Sequence, residues 1–181
     1  NHSLDFGGDA DYVGINASQD FDLSDEQALT ISGYIKTTGN NDVFFQAEQS
    51  FGYYVGYNSD GKFDMTMYFD GYTDLCASNT QINDGNWHYV TGTYDGSDMR
   101  IYVDGVLENT CAAGVLVSQD QASPITIGTY RPGVSNYQHD GSVDELSVWG
   151  VALEQNHIQE MMYTDSIWQD DNLVAHYKFN A

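Results

Sequence analysis

Short runs of alternating apolar and polar residues recur along the chain, and this period of two is the pattern of half-buried β-strands. In residues 99–107, Ile101 and Val103 alternate with more polar neighbours. Asp104-Gly105 then supplies a dipeptide that strongly indicates a two-residue hairpin turn. An antiparallel strand pair is therefore predicted here.

Similar runs follow one another at close spacing, separated by turns rich in Gly, Asn, Asp and Ser. The predicted strands lie at 11–15, 28–36, 42–47, 51–57, 62–68, 74–78, 86–94, 124–129, 141–149 and 173–179. So many short strands require two packed sheets, because one open sheet that wide would curl on itself.

One segment has helical rather than strand spacing. Residues 151–163 place Leu153, Ile158 and Met161 at roughly helical intervals. The predicted fold class is therefore all-β, a two-sheet antiparallel jelly-roll sandwich with one short helix near the C-terminus. No linker composition or internal repeat interrupts the pattern, so residues 1–181 are expected to form a single domain.

The charge balance makes one class of partner improbable. The chain has 27 acidic residues against 5 Lys and Arg, which gives a formal net charge of -22. Nucleic-acid binding needs clustered cations, so no nucleic-acid partner is expected. No apolar run is long enough to cross a membrane, and membrane insertion is not expected. Self-repulsion of this size is easiest to sustain where salt or divalent cations are abundant, which favours a secreted or cell-surface location.

The two cysteines, Cys76 and Cys111, lie on predicted strands that could be neighbours. A disulfide between them would close a long loop and stabilise the fold by about 3 to 4 kcal/mol in the chain-entropy account. Two buried free thiols are the alternative.

The lack of a basic, hydrophobic leader at the start of the sequence leads us to expect a mature module excised from a larger chain.

Seven segments carry a likeness to a known family, in the family's own order. They are residues 3–13, 29–35, 83–90, 94–96, 101–105, 125–128 and 140–149. Together they resemble the laminin-G-like, or concanavalin A-like, jelly-roll domains of secreted bacterial enzymes and adhesins. The resemblance implies two antiparallel sheets with one concave face. It also implies burial of Trp87 and Trp149, and a monomeric module within a bacterial protein that is secreted or on the cell surface.

Catalytic patterns are missing from the sequence. Related jelly-roll glucanases carry Glu-x-Asp-x-x-Glu on one strand, which directs their carboxylates into one cleft. The nearest approach here is Asp144-Glu145, and adjacent strand residues point to opposite faces. The five histidines show no metal-ligand spacing, and no Gly-x-Ser-x-Gly elbow occurs. The chain is predicted not to be an enzyme, and a glycoside hydrolase or lyase with unrecognised carboxylates is kept as an alternative.

The family resemblance implies a structural calcium ion. In the family an acidic residue of the opening hairpin commonly meets one of the late strand at Ca²⁺, and the corresponding positions here are Asp9 or Asp11, together with Asp144. Calcium prefers several carboxylate and carbonyl oxygens, which suits this pairing. The alternative is that Asp9 lies in a solvated turn and Asp144 caps a strand.

Two loops mix aromatic and polar side chains, as a sugar-binding surface requires, because a pyranose has an apolar face and a rim of hydroxyls. The candidate ligand-binding residues are Asp70, Tyr72, Tyr130, Arg131, Asn136, Tyr137 and His139. Arg131 is one of few cations and could anchor a hydroxyl pair or a carboxylate. The alternative is that Tyr130 and Tyr137 only pack the loop onto the sandwich.

These patterns lead to one predicted function and one alternative of another class. The chain is predicted to be a noncatalytic carbohydrate-binding module of a secreted enzyme or adhesin, stabilised by calcium. The alternative is a cell-surface adhesin module that uses the same loops to bind protein or peptide.

Overall fold

The computed structural model describes residues 3–8, 11–16, 21, 28–47, 52–69, 72–114, 125–130, 132–133, 136–163 and 171–179. The described strands and helix are β1 (Leu4–Gly7), β2 (Val13–Ile15), β3 (Leu29–Thr37), β4 (Asp42–Ala47), β5 (Tyr53–Tyr57), β6 (Lys62–Phe69), β7 (Tyr72–Gln81), β8 (Trp87–Tyr94), β9 (Asp98–Val103), β10 (Val106–Ala112), β11 (Ile125–Ile127), β12 (Asp140–Trp149), α1 (Gln155–Met161) and β13 (Leu173–Tyr177).

The strands form two antiparallel sheets, which confirms the predicted all-β jelly-roll sandwich. The seven-stranded sheet has the order β1-β12-β3-β8-β9-β10, and β13 also pairs with β12. The six-stranded sheet has the order β2-β11-β4-β5-β6-β7. Strands distant in sequence are thus neighbours, as the crossing connections of a jelly roll require.

The main core fills the space between the two sheets. Alternate residues of each strand point inward, so that Ile31 and Val90 of one sheet face Val55 and Met65 of the other in one buried cluster. A second cluster lies on the outer face of the seven-stranded sheet, where α1 packs. In the part of the chain that the structure describes, no helix is long and apolar enough to cross a membrane.

Local sequence signals placed several elements correctly. The Asp104-Gly105 turn has φ of 51° and 73° at its two residues, as a type I′ hairpin turn requires. The helix is shorter than predicted, because Glu154 is extended and the backbone N–H of Leu153 donates to the Thr30 hydroxyl over 2.9 Å.

Trp87 and Trp149 differ in solvent exposure. Trp149 is fully buried under α1, which confirms its predicted packing role. Trp87 is 41% exposed, so its predicted burial is wrong. Trp87 is the first residue of β8 and shares an outward-facing side with Tyr89, whose ring the helix cluster buries. Trp87 lies outside that cluster and remains in contact with solvent.

The predicted disulfide is confirmed. Cys76 and Cys111 are bonded, with their Cα atoms 5.7 Å apart. Cys76 lies on β7 and Cys111 on β10, the edge strands of the two sheets, so the bond joins the sheets at one side of the sandwich. Glu108 of β10 adds to this seam by accepting hydrogen bonds from the backbone N–H groups of Asn79 and Thr80, at 2.7 and 2.9 Å.

Candidate functional site

Strand alternation directs a group of polar and aromatic side chains out of the six-stranded sheet. On β6, Phe63, Met65 and Met67 are buried in the core, so the residues between them point to the outer face. Asp64 and Tyr68 are two of these outward residues. On the adjacent strand Gly56 pairs with Asp64, and Tyr54 lies two residues before Gly56 on the same face.

A loop returns over this face and adds two more tyrosines. The loop closes at a bridge between Thr129 and Gln138, and the backbone N–H of Tyr130 donates to the Tyr137 carbonyl over 3.2 Å. The Tyr130 ring lies 5.4 Å from the Tyr54 ring and 6.1 Å from the Tyr137 ring, both edge to face. Such aromatic contacts hold the rings in fixed orientations.

The space between sheet and loop is a cavity of about 290 Å³. We call it the tyrosine cleft, and its lining residues are Asn41, Asp42, Val43, Tyr54, Tyr57, Asp64, Tyr68, Tyr130 and Tyr137. Tyr137 is 43% exposed at the cleft, so it is available to a ligand. The hydroxyl groups of Tyr68 and Tyr130 are joined by a hydrogen bond of 3.1 Å. This bond holds the two side chains together in one wall of the cleft.

Asp64 is the most unusual residue of this cleft. Its side chain is only 6% exposed, and burial raises the pKa of its carboxyl to about 7. Among the described residues, no donor makes a hydrogen bond or ion pair with this carboxylate. A buried carboxylate without a partner is costly in an apolar setting, so folding places it here at an energetic cost.

A second and more polar cavity of about 490 Å³ adjoins the first. We call it the polar cleft, and its lining residues are Gly7, Gly8, Asn40, Asn41, Asp42, Asn136, Tyr137, Gln138 and Asp140. The two clefts share Asn41, Asp42 and Tyr137. The two clefts are therefore adjacent and have these three residues as a common wall.

The shared wall is conformationally strained. Asn41 has φ of 61° and Tyr137 has φ of 66°, in the left-handed region that residues with a Cβ rarely adopt. A bulky Tyr in this conformation costs free energy that surrounding contacts must supply. The strain lies at the point where the two clefts meet.

A buried hydrogen-bond network connects the wall shared by the two clefts to the protein core. The Tyr57 hydroxyl lies 2.9 Å from His139 Nδ1 and 3.2 Å from a carboxylate oxygen of Asp42. Burial raises the pKa of Asp42 to about 6, against the hydrogen bond from Tyr57, which lowers it. Burial also lowers the pKa of His139 to about 4, so this imidazole is neutral at physiological pH.

His139 was expected to touch ligand, and the structure corrects that expectation. Its side chain has no exposed surface, because Phe6 and Phe44 pack edge to face against the ring. A fully buried ring cannot contact a ligand in this arrangement. His139 instead holds Tyr57 beside Asp42.

The other predicted ligand-binding residues divide into three groups. Tyr130 and Tyr137 line the tyrosine cleft, and Asn136 lines the polar cleft. Tyr72 is the first residue of β7, and its side chain is not described. Asp70 and Arg131 lie outside the described residues.

Sequence reasoning did not identify Asp42, Tyr54 or Asp64 as candidate site residues. The alternation on β6 was a usable signal, because it places a carboxylate between inward-facing Phe63 and Met65. That signal alone could not show that a distant loop would cover the carboxylate and turn the sheet face into a cleft.

The structure changes the predicted pairing of acidic residues at the calcium site. Asp9 lies outside the described residues, and Asp11 accepts a hydrogen bond of 3.2 Å from the N–H of Gly7. Gly7 pairs with Asp140, whereas Asp144 is four residues further along β12. Four strand residues span about 13 Å, so Asp144 does not meet Asp11. No three Asp, Glu, His or Cys side chains gather as a metal site among the described residues.

Sequence comparison identifies a family and one distant relative. The family model of the concanavalin A-like lectin/glucanases superfamily matches residues 6–159. Human pappalysin-1 is 30% identical over 115 residues, a stretch that covers 56% of this chain and 7% of pappalysin-1. The chain thus spans a small part of that relative's length.

Solved structures share the fold at low sequence identity. A proposed carbohydrate-binding protein from Bacteroides ovatus superposes with a TM-score of 0.72 at 17% identity, over 92% of this chain and 48% of that protein. The binding domain of botulinum neurotoxin DC, solved in complex with rat synaptotagmin II, has a TM-score of 0.58 at 16% identity, over 76% of this chain and 36% of that one.

Proposed function

We propose that this chain, which belongs to the concanavalin A-like lectin/glucanases superfamily, is a noncatalytic module that binds carbohydrate. The observation that carries this proposal is the tyrosine cleft. Its ring walls suit the apolar face of a pyranose, and its Asn and Asp side chains suit the hydroxyl rim. The cavity is close to the lower limit of about 300 Å³ for ligand pockets, as expected for one or two sugar units.

Two further observations support the proposal. The Bacteroides ovatus structure with the same fold is described as carbohydrate binding, which supports the proposal of a glycan ligand for this chain. The net charge of -22 suits a neutral or cationic ligand in a secreted or cell-surface setting. We further propose that the chain is a monomeric module of a larger bacterial protein.

A pair of exposed aromatic residues offers a matched test of the proposal. Tyr137 in the cleft is 43% exposed and Trp87 outside it is 41% exposed. Tyr137→Ala should weaken oligosaccharide binding at least tenfold, and Trp87→Ala should leave it unchanged. Glycan-array screening followed by NMR titration measures both effects. Failure on every glycan, with capture of peptides through the same cleft, would support the protein-binding alternative.

We also propose that calcium binds in the polar cleft. Asp42 and Asp140 supply carboxylates, while Asn40, Asn136 and the backbone near Gly8 supply neutral oxygens. Hard cations prefer such oxygen sets, and Ca²⁺ accepts six to eight ligands. In this proposal Asp140, rather than the Asp144 expected from the sequence, is the calcium ligand contributed by β12. Bound calcium would neutralise the repulsion between Asp42 and Asp140.

Thermal unfolding distinguishes Asp140 from Asp144 as the calcium ligand on β12. Calcium added to chelator-treated protein should raise the midpoint by several degrees, because it binds only the folded state. Asp140→Asn should abolish this increase, and Asp144→Asn should preserve it. Retention of the increase in Asp140→Asn would contradict the assignment.

A second candidate function is hydrolysis, because two carboxyls with raised pKa values line one cleft. Asp64 has a pKa of about 7 and Asp42 of about 6, which would suit a proton donor and a base. The residues lie on β4 and β6 with β5 between them, so their Cα atoms are about 10 Å apart. Release of reducing ends from a polysaccharide panel, abolished in both Asp42→Asn and Asp64→Asn, would establish this function and overturn the noncatalytic proposal.

A further inference from the structure

The buried carboxylate of Asp64 is not explained by folding alone. The side chain is 6% exposed and lines the tyrosine cleft, yet no described residue donates a hydrogen bond to it. Buried carboxylates in proteins are normally paired or hydrogen-bonded. Within the part of the chain that the structure describes, the Asp64 carboxylate has no hydrogen-bond partner, and a ligand in the cleft could provide one.

The surroundings of Asp64 select the chemistry of that ligand. The rings of Tyr54, Tyr68 and Tyr130 form neighbouring walls, with centroid separations of 5.4 Å for Tyr54–Tyr130 and 6.1 Å for Tyr54–Tyr68. Aromatic faces attract cations through their quadrupoles. None of the lining residues that the structure describes is Lys or Arg. An anionic group is therefore disfavoured in this cleft.

A metal ion fits the tyrosine cleft poorly. Calcium requires about seven oxygen ligands in close contact, whereas five of the nine described lining residues are tyrosines and only Asp42 and Asp64 carry carboxylates. A neutral hydroxyl would satisfy Asp64 with one hydrogen bond and gain little from the aromatic walls. An ammonium group uses both features, because it donates to the carboxylate and contacts the ring faces at the same time.

We propose that the tyrosine cleft recognises an ammonium group, with Asp64 as its counter-ion and Tyr54, Tyr68, Tyr130 and Tyr137 as its aromatic enclosure. The inference rests on the proposed carbohydrate-binding function and deepens it: the glycan carries a free amino sugar rather than its N-acetylated form. The acidic surface of the protein would draw such a cationic polymer toward the cleft.

A titration series tests the proposal with ligands that differ in one feature. Fully deacetylated glucosamine oligomers, their N-acetylated counterparts and tetramethylammonium are titrated at pH 7, with tyrosine fluorescence and NMR as readouts. We expect the deacetylated oligomers to bind on the order of tenfold more tightly than the acetylated ones, and tetramethylammonium to bind weakly at the same rings.

Two charge-matched variants separate recognition from general electrostatics. Asp64→Asn should remove the tenfold preference and the tetramethylammonium signal. Asp60→Asn removes the same charge from an exposed turn on the β5–β6 hairpin and should leave both intact. Because Asp64→Asn removes a buried charge, the variant should fold, and its circular dichroism spectrum checks this.

Each result bears on a separate claim. Equal binding of both oligomers, unaffected by Asp64→Asn, would overturn ammonium recognition and leave carbohydrate binding standing. Binding of tetramethylammonium without any oligomer would support the ammonium site and contradict its assignment to an amino sugar. No binding of any probe would overturn ammonium recognition and leave the carbohydrate proposal to the glycan array.

Discussion

The outer faces of the two sheets both carry tyrosines, and the one helix of the described residues, α1, covers only the seven-stranded sheet. On the seven-stranded sheet, the rings of Tyr34 and Tyr89 lie 4.8 Å apart and pack with Trp149 beneath α1. The Tyr34 hydroxyl donates to the Met162 carbonyl over 2.8 Å, which ties the end of the helix to the sheet. These tyrosines are structural.

On the six-stranded sheet, a loop covers the tyrosines only in part. Tyr137 is 43% exposed, and a cavity remains between the loop and Asp64. The same residue type on the same kind of surface is therefore a packing element in one place and a candidate binding wall in the other. What covers the ring decides its role, since an exposed and rigid aromatic wall is available to a ligand.

The largest expected difference between the faces concerns the helix side. Trp149→Ala removes a fully buried indole between sheet and helix, and it should lower the free energy of unfolding by about 3 to 5 kcal/mol. Trp87→Ala, at an exposed indole on the same sheet, should cost less than about 1 kcal/mol. Chemical denaturation measures both. Similar losses in the two variants would show that α1 contributes little packing.

The next effect is a pH dependence confined to the cleft side. The folded-state pKa of Asp64 is raised from 3.8 to about 7, so its folded carboxyl binds a proton that the unfolded chain has released. This group therefore makes the protein less stable as pH rises from about 4 to about 7. Asp64→Asn does not titrate and should be more stable than wild type at pH 8, by up to about 4 kcal/mol, with little difference at pH 4.

Denaturant titrations at a series of pH values measure this difference. Asp60→Asn serves as the control, because its exposed side chain should give a curve parallel to that of the wild type. Parallel curves for Asp64→Asn and wild type would contradict the burial of an unpartnered charge. Among the described lining residues, the other titratable groups are Asp42, Tyr54, Tyr57, Tyr68, Tyr130 and Tyr137, and none of them is cationic.

The smallest effect compares one tyrosine from each face. Tyr34→Phe loses the hydrogen bond to the carbonyl of Met162 and should cost about 1 kcal/mol. Tyr137→Gly removes a ring in a left-handed backbone conformation, where Gly is tolerated, and should change stability by no more than about 0.5 kcal/mol while weakening ligand binding at least tenfold. A large destabilisation of Tyr137→Gly would identify the ring as structural.

The sequence by itself determined the fold class and the two-residue turn at Asp104-Gly105, and it predicted a bond between Cys76 and Cys111 that the structure confirms. These features depend on period-two alternation, on turn residues that tolerate positive φ, and on a short inventory of thiols. It also identified Tyr130 and Tyr137 as candidate ligand contacts, because aromatic residues in a polar loop are visible without coordinates.

Only the tertiary structure decided which tyrosines are covered and that Asp64 lies at a cavity with no hydrogen-bond partner among the described residues. It also decided that Asp140, rather than Asp144, pairs with Gly7. Each of these depends on strands and loops that are far apart in the chain. Alternation tells which side of a strand a residue faces. It does not tell whether a helix, a loop or solvent lies on that side, because that is set by crossovers between distant strands.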